Sequence, residues 1–151
     1  MNVTNGVLFV CGHNAGRSQM AQAFFNNGKR RYARVDGAFE AISAGTRHGS
    51  SINPLVVATM QEAGIDMRDA TRYFPKGMDD PLVLSRARGI RRVIVACDDT
   101  FILPSAVPAD VAPEYWRLSD PHGQPIEVIR EVRDATRAKV YELLEELERD
   151  R

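Results

Sequence analysis

The sequence predicts an α/β fold, a doubly wound, four-stranded parallel sheet flanked by about five helices. Short continuous apolar runs at residues 6–11 and 91–96 are typical of strands that are buried on both faces. Segments of helical periodicity separate the strand-like runs, and a long amphipathic helix closes the chain. Because each crossover helix must pack its apolar side on a sheet face, this alternation favours a parallel sheet.

The first half of the chain alternates between strand and helix. The strand over residues 6–11 leads through a loop to a helix over residues 18–28. A second short strand covers residues 39–44 and ends at a glycine. The helix that follows, over residues 53–64, starts with an Asn-Pro pair that suits its N-cap and first turn, and a glycine ends it.

The second half repeats the alternation less regularly. Residues 69–77 are predicted as loop, residues 81–88 as a short helix and residues 91–96 as a buried strand. A briefer strand is predicted at residues 115–118, and the terminal helix runs from Ile126 to about Leu147. The loop between these two strands is proline-rich and contains Pro104, Pro108 and Pro113. The apolar stripe of the terminal helix comprises Ile129, Val132, Thr136, Val140, Leu143 and Leu147.

Length and composition indicate one domain over residues 1–151. Hydrophobic residues make up 44% of the chain and charged residues 26%, which is enough apolar surface for a core and excludes intrinsic disorder. Twenty basic residues balance twenty acidic ones, so the chain lacks the positive excess that nucleic-acid binding needs.

No apolar run approaches the roughly 20 residues that span a bilayer, so we expect no membrane segment. The N-terminal residues 1–5 lack a secretory signal, which favours a cytoplasmic location and reduced cysteines. Two cysteines and three histidines at unsuitable spacing predict no transition-metal site.

Reactive side chains follow three of the predicted strands. Cys11, Cys97 and Asp120 each come at or just after a strand end, so a parallel sheet would bring them to one edge. The loop from Gly12 through Ser18 contains two glycines and leads into a helix N-terminus. Curled backbone N–H groups at such a terminus form a cradle for a small oxyanion. Its residues are Gly12, His13, Asn14, Ala15, Gly16, Arg17 and Ser18.

In that cradle we expect Cys11 to be a thiolate at neutral pH, with Arg17 clamping two oxygens of the anion and Ser18 donating to the sulfur. The alternative for Cys11 is a purely structural role, as a buried apolar residue before an ordinary turn. For Asp120 the alternative is a simple Asx turn before proline. His13 is expected to point outward, while His48 and His122 are expected at the entrance.

The C-x5-R-S loop from Cys11 to Ser18, together with the downstream Asp120-Pro121, resembles the low-molecular-weight tyrosine phosphatase superfamily over nearly the whole chain. Within that superfamily the sequence is similar to the arsenate reductase branch. Segments that carry this similarity include Arg17-Ser18-Gln19-Met20-Ala21, Ile42-Ser43-Ala44-Gly45-Thr46, Asn53-Pro54, Gly64-Ile65-Asp66 and the run from Trp116 to Pro121. The resemblance implies the low-molecular-weight phosphatase fold, with Cys11 as nucleophile, Arg17 as oxyanion clamp and Asp120 as general acid.

Two activities share the first step that this resemblance implies. A phosphatase would hydrolyse a cysteinyl phosphate, whereas an arsenate reductase would use a second thiol to release arsenite and leave a disulfide. The phosphatase branch commonly has adjacent tyrosines where His122-Gly123 stand, and the loop over residues 47–51 offers no large aromatic ring. Such a pocket favours a bare inorganic oxyanion (arsenate, phosphate or sulfate) over phosphotyrosine. A non-enzymatic oxyanion or thiol sensor is the third hypothesis.

Cys97 is the internal candidate for the second thiol, and filling space at a strand end is the equal alternative. Thioredoxin-coupled relatives have a third cysteine a few residues later, which residues 98–104 lack. This favours an external reductant, either a small thiol with a glutaredoxin-like protein or thioredoxin, with no bound cofactor. Those relatives also have a Glu that helps to hold potassium where this chain has Gln22, so no potassium site is predicted.

Overall fold

A computed structural model of the chain describes residues 4–150, in which a parallel β-sheet lies between two helical or loop layers. The strands are β1 (Asn5–Cys11), β2 (Phe39–Gly45), β3 (Ile90–Val95) and β4 (Pro113–Tyr115). The α-helices are α1 (Arg17–Gly28), α2 (Ala33–Asp36), α3 (Pro54–Glu62), α4 (Pro81–Arg86) and α5 (Ile126–Asp150). Short 3₁₀ turns follow α1 at Lys29–Arg31 and α4 at Ala87–Gly89.

The sheet confirms the predicted fold class. Its strand order is β2-β1-β3-β4, and every neighbouring pair is parallel. The chain therefore crosses from β1 to one side and then to the other, which makes the sheet doubly wound. The carboxyl ends of all four strands meet at one edge, and the first strand lies in the interior of the sheet.

The core lies on both faces of the sheet because side chains of β1 alternate between them. Val7 and Phe9 pack with buried residues of α1, α2, α3 and α5 on one face. Leu8 and Val10 pack on the other face against α4 and the proline-rich loop. The predicted stripe of α5 is buried throughout, as expected for a helix that covers a sheet face. No helix within residues 4–150 is long and apolar enough to cross a membrane.

The fourth strand was predicted two residues too late. It forms at Pro113–Tyr115 instead of residues 115–118, and Pro113 belongs to the strand, not to the preceding loop. Trp116 still donates its N–H to the carbonyl of Val95 at 2.9 Å, but Arg117 has a left-handed backbone, with φ of 53°, that ends the extended chain. Proline is accepted here because β4 is an edge strand.

Other differences are small. Helix α2 is a single turn that the periodicity did not predict, and α5 continues three residues beyond Leu147. The observed bounds of β1, β2 and β3 differ by one residue from the predicted ones. Residues 1–3 and 151, including most of the N-terminal segment used to predict location, lie outside the described part of the chain.

Candidate active site

The carboxyl edge of the sheet contains a small concavity where three of the predicted residues meet. Cys11 ends β1, Arg17 begins α1, and Asp120 follows β4. All three line the concavity, whose walls are Cys11, His13, Ala15, Gly16, Arg17, Asn53, Asp120, Pro121 and His122. The loop after β1 contains both Cys11 and Arg17, and the sheet topology brings Asp120, which is distant in sequence, to that loop.

The loop between β1 and α1 is held with its carbonyl groups turned outward. The carbonyl oxygens of Cys11, Gly12, His13 and Ala15 accept hydrogen bonds of 2.8 to 3.0 Å from the N–H groups of Thr46, Arg47, Gly49 and Asn53, in that order. The N–H of Asn14 points the other way and donates to Cys11 Sγ at 3.2 Å. The loop thus presents its N–H side to the concavity, the geometry of an anion cradle.

Asn14 fixes the shape of this loop. It is fully buried, and its φ of 54° lies in the left-handed region that asparagine tolerates better than most residues. Its Oδ1 accepts hydrogen bonds from Gln19 Nε2 at 2.9 Å and from the backbone N–H of Lys76 at 3.0 Å. Its Nδ2 donates to Ser18 Oγ at 2.7 Å.

That last contact orients the hydroxyl group of Ser18. Ser18 Oγ lies 2.9 Å from Cys11 Sγ, and because it already accepts from Asn14, its own hydrogen is free to donate to the sulfur. Cys11 Sγ therefore faces two donors, the Ser18 hydroxyl and the Asn14 N–H, at the N-terminal end of α1. Two donors and the N-terminus of α1 thus surround the sulfur of Cys11.

Arg17 is held in place by the two neighbouring strand ends. Its Nη1 donates to the carbonyl of Ala96 at 2.9 Å and to that of Leu118 at 3.0 Å, and only 9% of the residue is exposed. Its Nη2 lies 3.8 Å from Asp120 Oδ2. The guanidinium is thus preorganised beside the cradle, as a clamp for oxyanion oxygens requires.

Asp120 forms the predicted Asx turn and also lines the concavity. Its Oδ1 accepts the N–H of His122 at 2.9 Å, which is the Asx turn. Its side chain is nevertheless half exposed on the wall of the concavity, across from Cys11 and beside Arg17. A carboxyl group in this position is able to exchange a proton with a bound anion.

Cys97 lies beside the site but does not line its concavity. It follows β3, whose end is joined to β1 by the hydrogen bond from Ala96 N to the Val10 carbonyl at 2.7 Å. Only 5% of Cys97 is exposed, and this burial raises the pKa of its thiol, although a backbone hydrogen bond at Asp99 and the charge of Arg17 oppose the effect. Cys97 is therefore a protonated, buried thiol at neutral pH.

Lys76 is a buried cation that sequence analysis did not identify. Its side chain is enclosed behind the oxyanion loop, with Nζ 3.3 Å from the Phe74 carbonyl, 3.5 Å from Ser43 Oγ and 4.7 Å from the Phe74 ring centre. Burial lowers the pKa of Lys76 to about 8, although Asp80 opposes this effect. Nothing in the sequence marks this lysine, because its burial depends on how residues 69–77 fold over the loop.

The positions of Asn53 and the three histidines around the concavity were only partly predicted from the sequence. Asn53 both caps α3, through a 3.0 Å bond from Leu55 N, and lines the site, as its position after β2 could have suggested. His122 lies at the entrance as expected, and His13 lines the site too instead of pointing away. His48 lies beside Gly77 and is not among the lining residues.

Within residues 4–150, the structure shows neither an aromatic wall in the concavity nor a cluster of metal ligands. No phenylalanine, tyrosine or tryptophan lines the concavity, so Phe101 and Tyr115 do not supply an aromatic wall. No group of three or more histidine, cysteine, aspartate or glutamate side chains in this part of the chain is arranged to hold a metal ion.

Comparison with known proteins decides the family. Residues 6–151 match the family described as low molecular weight phosphotyrosine protein phosphatase. The chain belongs to this family. It is 33% identical over 139 residues to the glutaredoxin arsenate reductase of Synechocystis, covering 91% of this chain and 95% of the relative.

Solved structures agree with this placement. An arsenate reductase in the phosphate binding state superposes with a TM-score of 0.76 at 28% identity, covering 95% of this chain and 99% of the other. The thioredoxin-dependent arsenate reductase of Corynebacterium glutamicum has a TM-score of 0.71 at 28% identity, covering 98% of this chain and 64% of that one. The predicted resemblance to arsenate reductases of the low-molecular-weight phosphatase superfamily is confirmed.

Proposed function

We propose that this chain reduces arsenate to arsenite through a cysteine-bound arsenic intermediate that a second thiol resolves. The observation that carries the proposal is the concavity in which Cys11, Arg17 and Asp120 surround an anion cradle without an aromatic wall. A tetrahedral oxyanion fits such a cradle, whereas a phenyl phosphate has no ring to stack on. The arsenate reductases among the relatives support the same conclusion.

In the first step, arsenate binds to the N–H groups of residues 12–18 and to Arg17, and Cys11 Sγ attacks arsenic. An S–As bond forms while an As–O bond breaks, and Asp120 gives a proton to the departing oxygen so that it leaves as water. Arg17 and the loop N–H groups stabilise the charge that gathers on the remaining oxygens. Ser18 and Asn14 keep the sulfur and the loop in position.

In the second step, an external thiol attacks Cys11 Sγ. The new S–S bond forms as the S–As bond breaks, and its electron pair stays on arsenic, which is thereby reduced from As(V) to As(III). The two sulfurs are oxidised to a disulfide, and arsenite leaves. A glutaredoxin-like protein with a small thiol, or thioredoxin, then restores Cys11, and no bound cofactor takes part.

We assign the second thiol to an external molecule because Cys97 suits the role poorly. Its thiol does not line the concavity, and burial raises its pKa, which disfavours the thiolate that would have to attack. The sequence contains only two cysteines, so an internal Cys11–Cys97 disulfide could not be passed on to a third cysteine. Cys11, by contrast, lines the concavity together with the oxyanion loop.

A second candidate function is hydrolysis of phosphomonoesters. It shares the first step, and the relative in the phosphate binding state supports phosphate as an occupant of such a cradle. We expect it to be a slow side reaction. We further propose that residues 1–151 act as one low-molecular-weight phosphatase-like domain in the cytoplasm, with no nucleic-acid or membrane partner.

Arsenate turnover by the purified protein tests the function. Arsenite would be measured with thioredoxin and with glutathione plus glutaredoxin, beside hydrolysis of p-nitrophenyl phosphate. Arsenite formation with slow ester hydrolysis is the expected result. Fast ester hydrolysis without arsenite would make the protein a phosphatase, and rapid alkylation of Cys11 without any turnover would make it a sensor.

A further inference from the structure

Two imidazole rings form part of the entrance of the concavity. His13 comes from the oxyanion loop and His122 from the segment that follows Asp120, and their ring centres lie 5.5 Å apart. Within residues 4–150, neither ring has a hydrogen-bond or ion-pair partner among protein groups. Their nitrogens are therefore free to bind or accept a proton from something that enters the site.

The second step of the reduction creates a need for such a group. A small aliphatic thiol is mostly protonated at neutral pH, yet only the thiolate is a good nucleophile. The proton must leave as sulfur attacks Cys11. Imidazole is the side chain best matched to accept a proton near neutral pH.

On the basis of the proposed function, we propose that His122, paired with His13, is the general base for the incoming thiol. The thiol proton moves to an imidazole nitrogen as the thiol sulfur bonds to Cys11 Sγ. The S–As bond breaks with its electrons retained by arsenic, and arsenite departs. The imidazolium then returns its proton to a departing arsenite oxygen or to water, so the histidine is unchanged.

Asp120 is the competing base, because it has lost a proton in the first step. Both of its oxygens already face cationic or N–H groups, namely Arg17 Nη2 at 3.8 Å and the His122 N–H at 2.9 Å. Both carboxylate oxygens of Asp120 are thus already engaged by protein groups. The two unpartnered imidazoles lie on the same wall without this restraint.

Thiols of different acidity separate the two possibilities. Arsenite formation would be measured at pH 7, with saturating arsenate and limiting thiol so that the second step sets the rate. One reductant is 2-mercaptoethanol, which must lose a proton, and the other is 2-nitro-5-thiobenzoate, which is already ionised. The proteins are the wild type, His122→Gln, His13→Gln, the double variant and Asp120→Asn, with His48→Gln as the matched control.

The proposal predicts that the ratio of the 2-mercaptoethanol rate to the thiobenzoate rate falls about tenfold or more in His122→Gln. It should fall further in the double variant and stay at the wild-type value in His48→Gln. An unchanged ratio in the double variant would overturn the inference and leave the proposed function standing. So would a fall in Asp120→Asn alone, measured with thiol low enough that the second step still sets the rate of that variant. Absence of arsenite from the wild type with both thiols, and also with thioredoxin and with glutathione plus glutaredoxin, would overturn both.

Discussion

Asn14 illustrates how single residues determine the chemistry at this site. Its side chain connects Ser18, Gln19 and the backbone of Lys76, while its own N–H donates to Cys11 Sγ. One buried amide thus sets the loop conformation, the direction of the Ser18 hydroxyl and a donor to the reactive sulfur. Hydrogen bonds in such a network are costly to leave unmade, because each partner is buried.

Asp120 gives the first prediction. Asp120→Asn removes the proton donor of the first step, so arsenate reduction should slow by about a hundredfold. Asp98→Asn is the matched control, because Asp98 is a carboxylate near the same sheet edge whose side chain is 82% exposed and which does not line the site. Steady-state arsenite release measures both variants, and equal rates in the two would remove Asp120 from the mechanism.

Lys76 gives a prediction about stability. Burial holds its pKa at about 8 in the folded protein against a usual value of 10.5. Between these values the unfolded chain binds more protons than the folded one, so the stability of the folded state should rise with pH in this window. The resulting gain in the free energy of unfolding is about 3 kcal/mol. It is fully present above the pKa that Lys76 has in the unfolded chain, and it is lost as the pH falls through the pKa that Lys76 has in the folded protein.

Urea unfolding of wild type and Lys76→Met at several pH values between 7.5 and 10 measures this effect. The methionine variant serves as the reference because other groups titrate equally in both proteins. The free energy of unfolding of the wild type should rise relative to that of the variant. Parallel pH profiles would show that the ammonium group is not buried as described.

At the scale of elements, the site depends on how closely strand ends approach the oxyanion loop. The end of β2 packs against the loop with no side chain between them, since a Cβ placed on Gly45 would lie 2.7 Å from the Gly12 carbonyl oxygen and 3.0 Å from Asn14 Cβ. Arg17 ties the same loop to the ends of β3 and β4. The sheet edge therefore acts as a rigid support for the cradle.

Gly45→Ala should consequently damage the cradle without removing any reactive group. The added methyl must displace the loop, and we expect kcat/KM for arsenate to fall roughly tenfold or more. Gly37→Ala is the control, because a Cβ there meets nothing within 4 Å. If Gly45→Ala kept wild-type kcat/KM, the loop would not need the close approach of β2.

Elements also show what the sequence could and could not predict. Strands β1 and β3 were predictable because their apolar runs reflect burial on both faces, and the C-x5-R-S spacing located Cys11 and Arg17 in the site. The end of β4 before residue 117 coincides with the left-handed backbone of Arg117, a conformation that an arginine does not signal in the sequence. The burial of Lys76 and the inward place of His13 depend on tertiary packing and leave no periodic signal in the chain.

At the scale of the whole molecule, the doubly wound sheet gathers chemistry from distant parts of the chain. Only two cysteines are present, one in the concavity and one buried beside it, and the proposed function takes the second thiol from an external molecule. The zero net charge gives no general attraction to a strongly charged partner. Recognition of the reductant then depends on the entrance of the site.

Cys97→Ser tests this division of roles. Because we assign the second thiol to an external molecule, the variant should retain most of the wild-type rate with glutathione plus glutaredoxin. Mass spectrometry after one turnover with glutathione should find a mixed disulfide on Cys11 in both proteins. A large loss of activity, with a Cys11–Cys97 disulfide in the wild type, would instead make Cys97 the resolving thiol.

The most direct test of the account is a single-turnover measurement of arsenite released per protein molecule, with one equivalent of arsenate and excess glutathione, for wild type and Cys11→Ser. We predict about one equivalent from the wild type and none from the variant, since only Cys11 in the cradle can form the intermediate. Arsenite release from Cys11→Ser at the wild-type rate would contradict the assignment of the nucleophile, and no release from the wild type would contradict the function itself.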